Sequence, residues 1–312
     1  MSENVHIAGI GTYFPKEYIY NYDIANKYGY DISFLKNKIG FEKLLRKAKG
    51  ETVVDFCLNA FNDLKKKTEF DNKEIGLITV VTQHPDNTVP HISAILHNKL
   101  NMAKECMTFD ISQGCSGYCH ALEITKNIMI TKNIKKSLIF TCDLYSKIVN
   151  KENKNVNMIF GDASTSTLLN LESGMYYIQD SNFETLPNSN ECLTCIESLE
   201  MNGNEVFNYV CSEVPLTVSN LLEKNSLCKE DVGYFVFHQG TKFMVDFLKK
   251  IMKIPDEKTE FSATNIGNTV SSSIPIQLKE ILNNRDTYDY IVLSGFGVGF
   301  TVGNILLKRR EL

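Results

Sequence analysis

The strongest constraint on how this chain can fold is that its second half repeats its first. Lys73 to Gln83, an apolar run entered through Lys-Glu, is echoed by Lys229 to Gln239. The turn Gly114-Cys115 is echoed by Gly267-Asn268, and the strand-like Ser137 to Thr141 by Tyr290 to Ser294, both at one common offset. Phe160-Gly161-Asp162 then corresponds approximately to Phe296-Gly297-Val298. Several matches in one order, two of them at a common spacing, indicate duplication of a whole α/β unit, too long in period for a solenoid. The division this predicts is 1–172 and 173–312. In such a pseudo-twofold pair, equivalent strand ends of the two halves face each other across a shared cleft. Open α/β sheets place their chemistry at such ends.

Local patterning supports the layered reading. Ile75 to Val81 is a continuous apolar run rich in β-branched residues, as expected of a strand covered on both faces. Thr52 to Lys65 carries Val53, Val54, Phe56, Cys57, Ala60, Phe61 and Leu64 at amphipathic helical spacing. Asp23 to Tyr28 reads as a short helix stopped by Gly29, and Pro90 to Leu100 as a helix with Pro90 near its first turn. Met158 to Asp162 and Thr165 to Leu171 form a hairpin-like pair. Apolar strands alternating with helices predict an α/β architecture. Gly9-x-Gly11 lacks the third glycine and immediate helix of a dinucleotide turn. The basic run Lys43 to Lys49 reads either as a solvated helix face or as a docking patch for a phosphate-bearing substrate or acidic carrier.

Charge and cysteine usage narrow the function classes. A net charge of −4 gives no reason to expect nucleic acid. Met1 to Pro15 has no basic segment followed by an apolar one, and no run approaches the roughly 20 apolar residues of a membrane helix. A cytoplasmic protein without membrane contact is expected. Nine scattered cysteines read as reduced thiols. Cys192-Leu193-Thr194-Cys195 lacks the second pair or the histidines that a zinc site needs, so no metal is expected.

The segment Phe109 to Leu122 begins as a strand, tightens at Gly114 and runs into an apolar-periodic helix. Cys115 falls at the turn, where unpaired helix N–H groups favour negative charge and are expected to lower a thiol pKa. Locally, an acyl-accepting nucleophile and a buried structural thiol remain equal alternatives. His238 and Asn268 also sit at strand ends or turns. Singly, each is as well read as a structural histidine and a turn residue. Their places in the repeat favour a joint site.

These segments resemble the β-ketoacyl-acyl-carrier-protein synthase III family of the thiolase superfamily over almost the whole chain. Asp110 to Tyr118 looks like its nucleophile motif and Phe237-His238-Gln239 like its His-Gln-Ala-Asn motif. Ile266 to Pro275 looks like its Gly-Asn-Thr motif, and Phe296 to Gly303 resembles its glycine-rich C-terminal turn. The resemblance implies an α/β thiolase-like fold, two duplicated α/β halves forming a layered α-β-α-β-α sandwich. No cysteine follows Cys228, which separates the chain from thiolases; Gln83 stands where hydroxymethylglutaryl synthases carry a glutamate.

By the same resemblance Cys115 takes an acyl group from acyl-CoA or acyl-acyl-carrier protein. The backbone N–H groups of Cys115 and Val298 hold the oxyanion, although the family usually has glycine at the Val298 position. His238 and Asn268 donate to the enolate left when malonyl-acyl-carrier protein loses carbon dioxide. Acyl carrier protein is the implied partner, a homodimer the implied assembly, and no permanently bound cofactor is implied. The alternative is a thiolase-fold acyltransferase passing the acyl group to an amine or hydroxyl in a specialised pathway.

Further positions follow from the motifs. Val89 replaces a pocket-closing phenylalanine that reaches across the dimer, so a roomier pocket for longer, branched or polar acyl groups is expected. Phe34 and Lys154 stand where a tryptophan and an arginine sandwich the adenine of coenzyme A, and Lys38 replaces a phosphate-contacting arginine. Lysine does not reproduce guanidinium stacking, which predicts weak coenzyme A affinity. Lys242 is a candidate for recruiting the acidic carrier.

Overall fold

Strand pairing makes the repeat visible. The computed structural model describes residues 4–283 and 288–310. In chain order its strands are β1 (His6–Tyr13), β2 (Glu17–Tyr20), β3 (Lys43–Arg46), β4 (Ile75–Val81), β5 (Met107–Ile111), β6 (Lys136–Cys142) and β7 (Ser164–Asn170). They continue with β8 (Tyr176–Thr185), β9 (Leu193–Cys195), β10 (Leu199–Met201), β11 (Tyr234–Phe237), β12 (Tyr290–Gly297) and β13 (Thr301–Arg309). The α-helices are α1 (Asn21–Lys27), α2 (Ile32–Phe34), α3 (Val53–Lys65), α4 (Ile92–Lys99) and α5 (Gly117–Lys132). After them come α6 (Lys154–Asn157), α7 (Gly203–Lys224), α8 (Lys242–Met252) and α9 (Ser273–Asn283).

Nine strands follow one hydrogen-bonded order, β11-β12-β13-β8-β1-β7-β6-β4-β5. In the first half β4 is parallel to β6, β6 antiparallel to β7, and β7 antiparallel to β1. In the second half β11 is parallel to β12, β12 antiparallel to β13, and β13 antiparallel to β8. The two copies join where β1 pairs β8 at His6 with Tyr177 and Ile7 with Tyr176. Helices complete the layers. α3 covers β1, β6 and β7 from outside, and α7 covers β8, β12 and β13. α5 and α9 lie between, each touching strands of both halves. This is the thiolase-like α-β-α-β-α sandwich.

Helix α3 shows how directly sequence writes a layer. Thr52 and Asp55 form a capping box at its start, satisfying N–H groups that have no helical partner. All seven apolar positions anticipated for its inner face are buried. The helix lies so close to β1 that a Cβ on Gly11 would stand 2.2 Å from the Ala60 carbonyl oxygen and 2.4 Å from the Leu64 nitrogen. The Gly9-x-Gly11 pattern therefore serves strand-to-helix packing.

Three local expectations change. The basic run beginning at Lys43 is not a helix face: Lys43–Arg46 is β3, paired antiparallel with β2. Leu44 and Leu45 are buried, and Arg46 Nη1 donates to the Phe160 carbonyl at 2.6 Å. Met158 to Asp162 forms no hairpin with β7; Phe160 instead bridges in parallel to Asn268 of the other half. Pro90 precedes α4, whose N-cap is His91, with Asp110 accepting from the first two helical N–H groups at 2.7 and 2.9 Å.

Replacing Gly11 with alanine should destabilise the protein by about 3 kcal/mol through overpacking against backbone atoms. Chemical denaturation checks this, and an unchanged midpoint would contradict the close-packing account.

Candidate active site

The nucleophile turn is built from both halves. Gly117 N–H bonds to the Gly114 carbonyl at 2.8 Å, closing the turn that carries Cys115 just before α5. Ser116 Oγ lies 2.8 Å from Thr301 Oγ1, and Gln113 Nε2 reaches both hydroxyls at 3.1 Å. Thr301 also donates to the Val298 carbonyl at 3.0 Å. The Cys115 and Val298 turns are thereby locked together. β12 can approach because it ends in glycine: a Cβ at Gly297 would stand 3.0 Å from Cys115 Sγ.

His238 follows β11 directly, its N–H bonded to the Ser294 carbonyl of β12 at 2.9 Å. Asn268 is held by backbone bonds to Ile159 and Gly161, both 2.9 Å. Its Oδ1 accepts from Val270 N–H at 2.9 Å. Because an N–H can only donate, this bond fixes the amide and leaves its NH2 end without a hydrogen-bond partner among the described residues. Val270 reaches that position at φ 53°, a left-handed conformation costly for a β-branched residue.

Cys115, His238 and Asn268 line one cavity of about 50 Å³. Its other walls are mostly apolar and include Phe160, Leu193, Met201, Val206, Val210 and Met244. All three polar residues are buried. Burial pushes the Cys115 thiol far above its usual range, with the Asp143 carboxylate adding to the rise. The N–H groups of Cys115 and Val298 act on the same sulfur in the opposite direction. Burial pushes the His238 imidazole down to about 3, so the ring is neutral.

The expectation of a depressed thiol pKa is thus corrected, and magnitudes explain why. A helix N-terminus contributes about 0.3–1 kcal/mol, less than one pKa unit. Full burial moves a group by up to about 3–5 units.

The substrate-binding candidates are scattered around this core. Val89 is 83% exposed and does not line the Cys115 cavity. Phe34 and Lys154 do not bound an open slot. The Tyr30 ring stacks on Phe34 at 4.2 Å and 12°, and Lys154 Nζ lies 6.0 Å from the same ring. Lys38 Nζ sits 3.6 Å from the centre of the Phe243 ring, and Lys242 pairs with Asp246 at 2.5 Å. Sequence reasoning missed the hydroxyl run Ser271-Ser272-Ser273. Ser271 Oγ donates to Asp143 at 2.5 Å, Ser272 Oγ lies 2.8 Å from Thr141 Oγ1, and Ser273 Oγ lies 2.6 Å from His238 Nδ1. The only signal was its place after Gly-Asn-Thr.

Duplicated halves around a buried Cys, His and Asn define a protein of the thiolase type. Residues 109–186 match the family model for 3-oxoacyl-[acyl-carrier-protein] synthase III, and residues 222–309 match that for its C-terminal part. The β-ketoacyl-[acyl-carrier-protein] synthase III of Clostridium perfringens is 28% identical, covering 98% of this chain and 99% of its own. That of Clostridium botulinum is 27% identical over 97% and 98%. A crystal structure of a 3-oxoacyl-(acyl-carrier-protein) synthase III superposes with a TM-score of 0.92 at 27% identity, over 98% of this chain and 99% of the other. The Aquifex aeolicus enzyme gives 0.91 at 24%, over 97% and 99%. The chain belongs to the β-ketoacyl-acyl-carrier-protein synthase III family of the thiolase superfamily. It is an acyltransferase of the condensing kind. Among the described residues no helix is long and apolar enough to cross a membrane.

A buried neutral thiol makes a pH prediction. Thiolate is scarce at neutral pH and grows as pH rises, so the rate of Cys115 alkylation by iodoacetamide should still be climbing at about pH 9. A plateau reached below about pH 7 would mean a preformed thiolate instead.

Proposed function

We propose that the protein joins an acyl group held on Cys115 to a malonyl unit carried by acyl carrier protein, by decarboxylative Claisen condensation. Cys115 sulfur attacks the donor thioester carbonyl as its S–H bond breaks, and the donor sulfur departs with its bonding electrons and takes up the proton. The N–H groups of Cys115 and Val298 receive the transient oxyanion. In the second half-reaction the malonyl carboxylate leaves as carbon dioxide, and its bonding pair forms an enolate. Asn268 and His238 flank the enolate oxygen. The enolate carbon attacks the acyl carbonyl, and Cys115 leaves as thiolate to be reprotonated by solvent.

The observation that carries this reading is the fixed Asn268 amide in the cavity beside Cys115, its NH2 end without a hydrogen-bond partner among the described residues. Simple transfer to an amine or hydroxyl has no use for an enolate donor there. Asn268→Ala should lower carbon dioxide release from malonyl-acyl-carrier protein about 100-fold while Cys115 still becomes acylated. Cys115→Ala should abolish acyl labelling in a folded protein, as read by intact-protein mass spectrometry. Retained labelling in Cys115→Ala, or product formed without carbon dioxide, would sink the assignment.

The same reading divides the chain into 1–172, with the nucleophile, and 173–312, with His238 and Asn268. It makes the protein a homodimer: among the described residues β5 ends the sheet with one edge unpaired, and Met107 on it is exposed, as is Val89. Nine free thiols suit a reducing cytoplasm.

The acyl donor arrives on a carrier protein. Support comes from Tyr30, which already fills the place between Phe34 and Lys154. An adenine would have to displace a stacked ring worth about 0.5–1.5 kcal/mol. The KM for an acyl-coenzyme A should therefore exceed that for the same acyl group on carrier protein, and Tyr30→Ala should lower it by up to about tenfold. Equal KM values for the two donors would overturn this preference.

A further inference from the structure

A second cavity, of about 250 Å³, opens between the β2–β3 pair, α1 and the loop from Ser146 to Asn157. Arg46 borders it, a member of the basic run that the nucleophile site leaves unused. None of Cys115, His238, Asn268, Phe34, Lys38 and Lys154 lines it.

Arg46 is the unusual wall. It is partly buried, and burial lowers its pKa against the opposing pull of the Asp162 carboxylate. A charge held away from water normally faces a partner of opposite sign. Here the Asp162 oxygens are taken by Lys47 N–H and by the N–H and hydroxyl of Ser146. Arg46 bonds to the Leu45 carbonyl at 3.1 Å and to the Phe160 carbonyl at 2.6 Å, both from Nη1. Nε and Nη2 therefore have no hydrogen-bond partner among the described residues. These two nitrogens form one edge of the planar fork that grips a carboxylate through two parallel bonds.

The other walls narrow the ligand. Lys27 is already paired with Glu152 at 2.8 Å on an exposed rim, and Lys151 beside them is exposed. One guanidinium in a partly dry site balances one negative charge, and a phosphate dianion would bring a second. Ile19, Ile24 and Val149 supply an apolar surface that suits a carbon tail. Sites for drug-sized molecules enclose roughly 300–1,000 Å³, so the occupant of this smaller space is short.

We propose that Arg46 anchors a binding site for a short-chain monocarboxylate, with Nε and Nη2 on the carboxylate and Ile19, Ile24 and Val149 along the tail. The site goes beyond the condensing reading and requires nothing of it. It is separate from the nucleophile cavity but shares Phe160 with it. The Phe160 carbonyl takes the Arg46 bond, and the same residue walls the Cys115 cavity and bridges to Asn268.

Isothermal titration calorimetry of the full chain, first alkylated at Cys115 with iodoacetamide to fill the nucleophile cavity, tests the site. Butanoate should bind saturably, about tenfold tighter than acetate because two more methylenes are buried, and hexanoate should not be weaker. Inorganic phosphate should bind more weakly than butanoate. Arg46→Met should weaken butanoate binding about 10- to 100-fold, whereas Lys151→Ala on the rim should change it less than about fivefold. Arg46→Met also loses the Phe160 bond, so Ile19→Trp, which fills the apolar wall and leaves Arg46 in place, should independently weaken butanoate binding. Lack of saturable butanoate binding, equal affinity for acetate and butanoate, or unchanged affinity in both Arg46→Met and Ile19→Trp overturns the site. Displacement of butanoate by coenzyme A would make the cavity part of the donor site and overturn it too. Phosphate binding tighter than butanoate overturns the choice of a carboxylate.

Discussion

The site depends on a short backbone seam between the two halves. Asn268 donates its N–H to Ile159 and accepts that of Gly161, so two bonds pin it in register with Phe160. β3 reinforces the seam from behind. Leu45 N–H bonds to the Ile266 carbonyl, Asp162 N–H bonds to the Leu45 carbonyl, and Arg46 holds the Phe160 carbonyl. Each such bond contributes about 1 kcal/mol net, but leaving one buried group unpaired costs about 1–3 kcal/mol. Sliding the seam by one residue would break several at once. That is why an asparagine from one half can be held beside a cysteine of the other with little freedom to drift.

The electrostatics of the cavity follow from how dry it is. Water exclusion penalises both charged forms, leaving a neutral thiol and a neutral imidazole side by side. Behind them lies Asp143, a fully buried carboxylate pushed up to about 6 by its burial. It is held by hydrogen bonds from Gln83 N–H and from the hydroxyl and N–H of Ser271. The same low dielectric strengthens the attraction of the Cys115 and Val298 N–H groups for an oxyanion once it forms. At rest the thiol and the imidazole are both neutral, and the standing charge beside them is the Asp143 carboxylate.

Much of this was legible in the chain itself. The repeat carried the architecture because one fold pattern written twice gives two sets of apolar runs in the same order. The face of α3 was read residue by residue, since helical burial leaves a periodic trace from Val53 to Leu64. Cys115, His238 and Asn268 were legible because each stands at a turn following an apolar strand or motif. Other features had no local trace. The identity of β3 comes from pairing with β2 and from Leu44 and Leu45 turning inward, while its charges suggested a solvated face. The thiol pKa depends on packing by residues distant in sequence, such as Phe296 and Phe160. Ser273 sits in a run of three serines, and only the turn at Val270 decides which of them meets the histidine.

The central layer has a consequence for the history of the molecule. α5 and α9 each press on strands from both halves, and buried apolar side chains of α5 and α9 share one core with strand residues of both halves. The first half closes an outer core of its own between Val53 and Leu168, but neither half can close this inner one alone. Cut apart, each would present to water the surface that its twin now covers. A duplication of this kind runs one way: once the inner helices are sandwiched, the ancestral single unit is no longer contained in either descendant.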